Sequence, residues 1–255
     1  MTNFLIFSPL EQFEVTSLIS LNAPILGHFS ITLTNLALYS LIVLITIISF
    51  HILGNNETKL IPSKWSIALE SSFTSIQTIV REQVGINNEQ YLPLVYSVFF
   101  FVIIANLTGN VPYNYTIGTS IIVSLGISIT IFIGVTILGL SLHKLNFFSF
   151  FIPAGTPLAL TPVLTLIELV SYIARAFSLG VRLLANLAAG HALLKILSTF
   201  LAQMFTSSII IAVLTLIPFS IFIALIGLEL AVSVIQAYVL TLLFCSYLKD
   251  AIELH

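Results

Sequence analysis

The sequence predicts an all-α membrane protein: five membrane-embedded helices and one amphipathic surface helix, the last two membrane helices long, steeply tilted and paired as an antiparallel hairpin. Three observations predict it. Of 255 residues, 58% are hydrophobic and only 7% charged, against about a quarter charged in soluble domains. Mean hydropathy is +1.13. The apolar residues also fall in runs long enough to cross a hydrocarbon core, which takes roughly 20 helical residues. The same figures narrow function. A net charge of −2 offers nothing to nucleic acid, and a single cysteine, Cys245, excludes an intrachain disulfide and reads as a small packing residue. Residues 1–255 read as one integral membrane domain, with no soluble domain, linker or repeat.

The N-terminus, MTNFLIFSPLEQFEV, lacks the basic start and long apolar core of a secretory signal and holds no arginine. The first span is expected over 31–54, the second over 91–109 and the third over 117–140. Two longer segments follow, 162–204 and 208–249. Residues 62–85 are too polar to cross. At about 100° per residue, Trp65, Leu69, Phe73, Ile76, Ile79 and Val80 share one face, while Lys64, Glu70, Ser71 and Gln77 fall mostly off it. That pattern predicts an amphipathic helix at the membrane surface, with a short soluble linker helix as the alternative.

Lysine and arginine in short loops set orientation. Lys59, Lys64 and Arg81 follow the first span, Lys144 follows the third, and Lys249 lies near the C-terminus. The other connections, NVPYNYT and QMFTSS, hold none. The C-terminus is therefore expected on the positive side and the N-terminus opposite.

The segment 162–204 would be about 64 Å long as a helix, twice a bilayer core, so it must tilt steeply or bend. Gly180 and Gly190 would permit bending. It carries Glu168, Arg175, Arg182, His191 and Lys195, and ionisable residues inside a membrane by default signal function. With Arg182 at zero on a helical wheel, Arg175 falls at about 20°, and Glu168 and Asn186 fall at about 40°. Ser171, Ser178 and Ala189 lie within about 40° on the other side, and His191 about 180° away. Arg182 thus centres a polar face of small residues, which lets another helix approach closely. No acid stands at i±3 or i±4 to pair with it. The last segment carries Glu229, sharing a face with Ser233, Gln236 and Tyr247. A carboxylate there calls for a partner or a file of water.

Folded as a hairpin about the TSS turn, the two segments bring Glu168 level with Asp250, Arg182 with Gln236, and His191 with Glu229. Glu168 and Asp250 lie towards the positive side, and His191 and Glu229 towards the other. Two polar half-paths thus approach a central cation from opposite sides without meeting. A proton passing Arg182 would meet strong repulsion in low dielectric, so something else must carry it round.

On RLLANLAAGH and GLELAVSVIQAYVLTLL, the chain resembles the a subunit of rotary ATP synthases, the stator channel subunit beside the c-ring, and the resemblance covers essentially the whole length. The start SPLEQFEV resembles fungal mitochondrial members, which implies a removed leader of residues 1–7 and a mature start at Ser8. The resemblance implies that Arg182 faces the rotor carboxylates of the c-ring and blocks leak between half-channels, with Asn186 and Gln236 as its polar neighbours. His191 and Glu229 would form the half-channel open to the intermembrane space. Glu168 would belong to the matrix half-channel, extended by Asp250 and His255. In bacterial members an acid replaces His191 and a histidine replaces Glu229. The implied setting is the mitochondrial inner membrane, with the N-terminus in the intermembrane space and the C-terminus in the matrix. The implied partners are the c-ring, other stator and peripheral-stalk subunits, and membrane lipid.

No cofactor is expected. Neither GxxxxGK[ST] nor GxGxxG occurs, so ATP chemistry falls to another subunit and the chain is not catalytic alone. The histidines are scattered without i,i+4 spacing, which argues against a metal site. Two other readings stand beside this one. A secondary transporter or ion channel would use Arg182 as a substrate-anion site and needs a repeated half. A structural packing subunit would not need aligned polar faces. Glu168 and Arg175, seven residues apart, also allow a plain structural ion pair.

Overall fold

The structure is a computed structural model that describes residues 8, 10–22, 30–55, 61–112, 114–152, 160–207 and 209–253. Residues 1–7, Lys59 and His255, named above, lie outside the described residues. The order of elements is β1 (Ser17–Asn22), β2 (Ser30–Thr34), α1 (Asn35–Gly54), α2 (Lys64–Gln83), α3 (Leu92–Gly109), α4 (Ile121–His143), α5 (Thr161–Ser207), α6 (Ile209–Leu214) and α7 (Leu216–Ile252), with short 3-10 turns between several of them. Among the described residues, five helices are long and apolar enough to cross a membrane: α1, α5, α7, and α3 and α4 with their adjoining 3-10 turns.

Three of the expected boundaries are corrected. Residues 31–34, expected in the first span, form β2, which pairs antiparallel with β1 from Asn22↔Ser30 to Ser17↔Thr34. Run length reads Ile31–Thr34 as helix because it ignores their β-branched alternation, which suits a strand. Thr34 then caps α1, its side chain accepting the Ala37 N–H at 3.3 Å. The third span is shifted: Ile117–Thr119 is a 3-10 turn and α4 continues to His143. The last segment is interrupted at Thr215, between α6 and α7. Pro218 has no N–H for the Leu214 carbonyl, which ends α6 there. The amphipathic helix expected over 62–85 is α2, which is not among the five spanning helices. On its apolar face Ile76, Ile79 and Val80 are buried with Val84, Phe244 and Leu248 in the main core, whereas Trp65 and Phe73 remain exposed.

The core lies where α3, α4, α5 and α7 meet, with α2 across one end. Val95, Val135, Leu179, Leu183, Leu240 and Cys245 are among its buried members. Cys245 is fully buried, in keeping with its packing role. Lipid is as apolar as leucine, so helix association rests on close packing and interhelical hydrogen bonds, each worth about 0.6 kcal/mol on average. The α4–α5 seam shows both. Ser124 and Ser128 on α4 face Ala176 and Gly180 on α5, all four buried. Ser128 Oγ donates to the Ala176 carbonyl, and the Thr136 and Tyr172 hydroxyls lie 2.9 Å apart.

α5 is one unbroken helix of 47 residues, about 70 Å long, so it exceeds a bilayer core without a break at either glycine. Gly180 is instead a point of contact. A Cβ there would stand 2.8 Å from Leu125 Cδ2 and 3.1 Å from both Leu125 Cα and the Ser124 carbonyl oxygen. His51 and His143 anchor helix ends. His51 Nε2 lies 3.1 Å from the Tyr96 hydroxyl, and His143 Nε2 lies 3.0 Å from the Ile252 carbonyl.

Gly180→Ala therefore forces α4 and α5 apart and is expected to destabilise the fold by ~1–3 kcal/mol. Gly134→Ala, where a Cβ meets nothing within 4 Å, is expected to leave it unchanged. Thermal unfolding of the purified protein in detergent compares the two.

Candidate functional site in the seam between α5 and α7

Helices α5 and α7 run antiparallel, joined by three polar contacts at successive levels. Nearest the turn, His191 Nδ1 lies 3.2 Å from Glu229 Oε1. This is the pair expected from the sequence. The contact lacks hydrogen-bond alignment: Glu229 Oε1 and His191 Nε2 are buried without a hydrogen-bond partner among the described residues. Gly190 makes the approach feasible, since a Cβ there would lie 2.9 Å from Glu229 Oε1. Beside the pair is a cavity of about 270 Å³, bordered by Asn186, Gly190, Glu229, Val232 and Ser233 among others.

At the middle level the expectation fails by one helical turn. Gln236 accepts a hydrogen bond at 2.9 Å from Asn186 Nδ2 rather than from Arg182. Among the described residues, Arg182 forms no hydrogen bond or ion pair, and its side chain is exposed. Ser171, Ala174, Ser178, Ala185 and Ala189 are exposed on the same side of α5. The guanidinium thus stands on a strip of small residues that no described helix of this chain covers.

At the far level Glu168 and Asp250 stand level as expected, joined through Arg175, which also makes the ion pair with Glu168 that their spacing allowed. Its Nη1 donates to Asp250 Oδ2 at 3.0 Å, and Nη2 donates to Glu168 Oε1 at 3.4 Å. Two carboxylates brought level would repel, and a guanidinium, which cannot lose its proton, joins them. Tyr172 and Tyr247 border the small cavity beside Arg175 and Asp250. Phe132, Phe147, Phe150 and Phe151 pack round Tyr172 at ring-centroid distances of 4.9–6.5 Å.

On the helical wheel, His191 stands about 180° from Arg182, Gly190 about 80°, Asn186 about 40° and Arg175 about 20°. The residues of α5 that meet α7 are therefore not confined to one face, and Arg182, although close to Arg175 and Asn186 on the wheel, lies outside the contacts.

Two residues that the sequence reading passed over also meet α7. Asn106 on α3 donates from Nδ2 to the Ser233 carbonyl at 3.2 Å. Asn110, the residue that caps the C-terminus of α3, donates from Nδ2 to Ser233 Oγ at 2.7 Å. Asn106 lies inside an apolar span with a second amide four residues on, and that spacing was the available signal. Lys195 has no part in the seam's ion pairs or side-chain hydrogen bonds. The chemistry the seam can perform is proton exchange between carboxylate, imidazole and water.

Comparison with known proteins follows the same lines. A family model described as ATP synthase A chain matches residues 37–249. The chain is 65% identical over 252 residues to the ATP synthase subunit a of Mycosarcoma maydis, covering 99% of each. It is 45% identical to that of Emericella nidulans, covering 98% of each chain. It is 44% identical to that of Yarrowia lipolytica, covering 99% of this chain and 100% of the relative.

In a Cys245→Ser background, a short bifunctional thiol reagent is expected to join Asn186→Cys to Gln236→Cys in high yield. Arg182→Cys with Gln236→Cys is expected to join poorly. Gel mobility reads the difference directly, and the reverse ranking would contradict the Asn186–Gln236 pairing.

Proposed function

The chain belongs to the ATP synthase A chain family, and on that premise we propose that it is the proton-translocating stator subunit of a rotary ATP synthase, guiding protons to and from a ring of rotor carboxylates past Arg182. The observation that carries this reading is the exposed, unpaired Arg182 on its strip of small residues. A permanent cation inside an apolar span is costly without an acid. A rotor helix bearing a carboxylate and approaching over Ser178, Ala185 and Ala189 supplies one.

A proton reaches Glu229 and His191, whose contact and adjoining cavity support exchange with water. From there it neutralises a rotor carboxylate. The neutral acid tolerates lipid because its charge cost has gone, and the ring turns. On the other side the acid gives up its proton towards Glu168 and Asp250, and the resulting anion is drawn to Arg182. Asn186 and Gln236 hold the helices together beside that cation. Arg175 holds both outlet carboxylates in place, which supports a positioning part for it. A direct proton hop between the half-paths would pass Arg182. A unit charge about 4 Å away at an effective dielectric of about 20 repels by ~4 kcal/mol, nearly a thousandfold in rate. The driving energy is about 2.3 kcal/mol per charge per 100 mV.

The fungal relatives and the loop charges support a mitochondrial inner-membrane location with the C-terminus in the matrix. Residues 1–7 read as a removable leader of a single membrane domain. ATP chemistry then belongs to other subunits, and the transporter and packing-subunit readings find no support in the family match.

Arg182→Ala, in membranes containing the assembled rotor, is expected to abolish coupled synthesis and to raise passive proton leak on the order of a hundredfold or more. Proton uptake into vesicles with a fluorescent pH indicator measures it, and unaltered coupling would sink the reading. Gly190→Ala pushes the Glu229 carboxylate away from His191 and is expected to lower synthesis by about tenfold while assembly on native gels is preserved.

A further inference from the structure

The α3 amides meet α7 one turn from Glu229, and their hydrogen bonds form a directed chain. Asn110 Nδ2 donates to Ser233 Oγ at 2.7 Å, and Ser233 Oγ donates to the Glu229 carbonyl at 2.8 Å. Asn106 closes a second bond onto the Ser233 carbonyl. Ser233 is 1% exposed and borders the cavity that Glu229 also lines. Its single proton is committed to the Glu229 carbonyl, so the hydroxyl works as a latch and does not pass protons on.

The other end of the Asn110 amide is different. Its Oδ1 is buried and has no hydrogen-bond partner among the described residues, as are Glu229 Oε1 and His191 Nε2. Buried polar atoms of this kind are ordinarily met by water. Asn110 is also tied to the cavity beside Glu229 through Ser233, which borders it. It caps α3 where the chain leaves the helix for the connection to α4, on the side away from the loop lysines. The amide carries no charge and cannot hold the proton itself. Among the described residues, the titratable group in contact with Glu229 is His191 from α5, and the side-chain hydrogen bonds from α3 to this turn of α7 come from the two amides.

We propose that Asn110 seats a water through Oδ1 at the inlet of the half-path to Glu229, and that this water delivers protons to the Glu229–His191 pair. The inference rests on the half-path reading above. The excess proton arrives on the water, passes to the pair, and leaves the water neutral, so charge and atoms balance. Asn110 is a positioning residue: it orders the donor and touches no reacting rotor atom.

The test is proton-driven ATP synthesis by the intact complex in proteoliposomes, with pH varied only on the Asn110 side at fixed potential and normalised to assembled complex. Asn110→Leu is expected to move half-saturation about one pH unit lower, roughly a tenfold weaker capture of protons, with the maximal rate retained. Asn110→Gln restores it in part. A fall in maximal rate at unchanged half-saturation would mark Asn110 as merely structural and overturn the proposal, and so would no change. Where Asn110→Leu fails to assemble, Asn110→Ala is read in the same assay with the same two outcomes. Glu229→Gln separates the two levels. If it runs normally, the half-path reading falls; if it stops synthesis while Asn110→Leu titrates as wild type, only the Asn110 inference falls.

Discussion

The contact between Gly190 and Glu229 holds the register of everything around it. A carboxylate on an apolar helix needs room and a polar neighbour, and both come from one position on α5. Gly190 leaves space for the Glu229 side chain, and the next residue, His191, meets it at 3.2 Å. A side chain at 190 would fill the space the carboxylate takes. With this contact fixed, the packing of the two helices decides which residue of α5 meets each turn of α7. Asn186 meets Gln236, Arg175 meets Asp250, and Arg182 is left outside the seam.

The two ends of the seam differ in how fully their polar groups are satisfied. At the Arg175 end a guanidinium holds two carboxylates, and aromatic rings crowd the space beside it. At the Glu229 end the carboxylate and imidazole keep buried atoms without partners among the described residues, next to a cavity of about 270 Å³. Saturated groups hold their geometry, whereas unsaturated ones beside open space can exchange protons. The fully committed Ser233 hydroxyl and the half-committed Asn110 amide repeat that contrast on a smaller scale.

The rest of the fold serves the seam by fixing α5 from behind. Small residues on α4 and α5 bring the helices close at Gly180, and the opposite face of α5 stays free. Hydroxyl and amide bonds between helices add direction that dispersion alone lacks. By contrast, α1 keeps large apolar side chains such as Leu41, Leu44, Ile45 and Ile48 exposed. In a membrane such faces meet lipid or other helices at little cost.

The sequence by itself determined the membrane class, the five long apolar helices and the family, because composition, run length and motif are local properties of the chain. It also singled out Glu168, Arg175, Arg182, His191 and Glu229, since each charge or imidazole stands out against an apolar run. The His191–Glu229 pair was legible because it lies near the hairpin turn, where little register error accumulates. Farther from the turn only the tertiary structure could decide. There the packing of α7 on α5 gives Gln236 to Asn186 and joins Glu168 to Asp250 through Arg175. Likewise, run length counted Ile31–Thr34 as helix, while pairing with β1 made them strand. The contacts made at Gly180 and Gly190 were also not legible, because what a missing Cβ makes room for depends on which helix lies opposite.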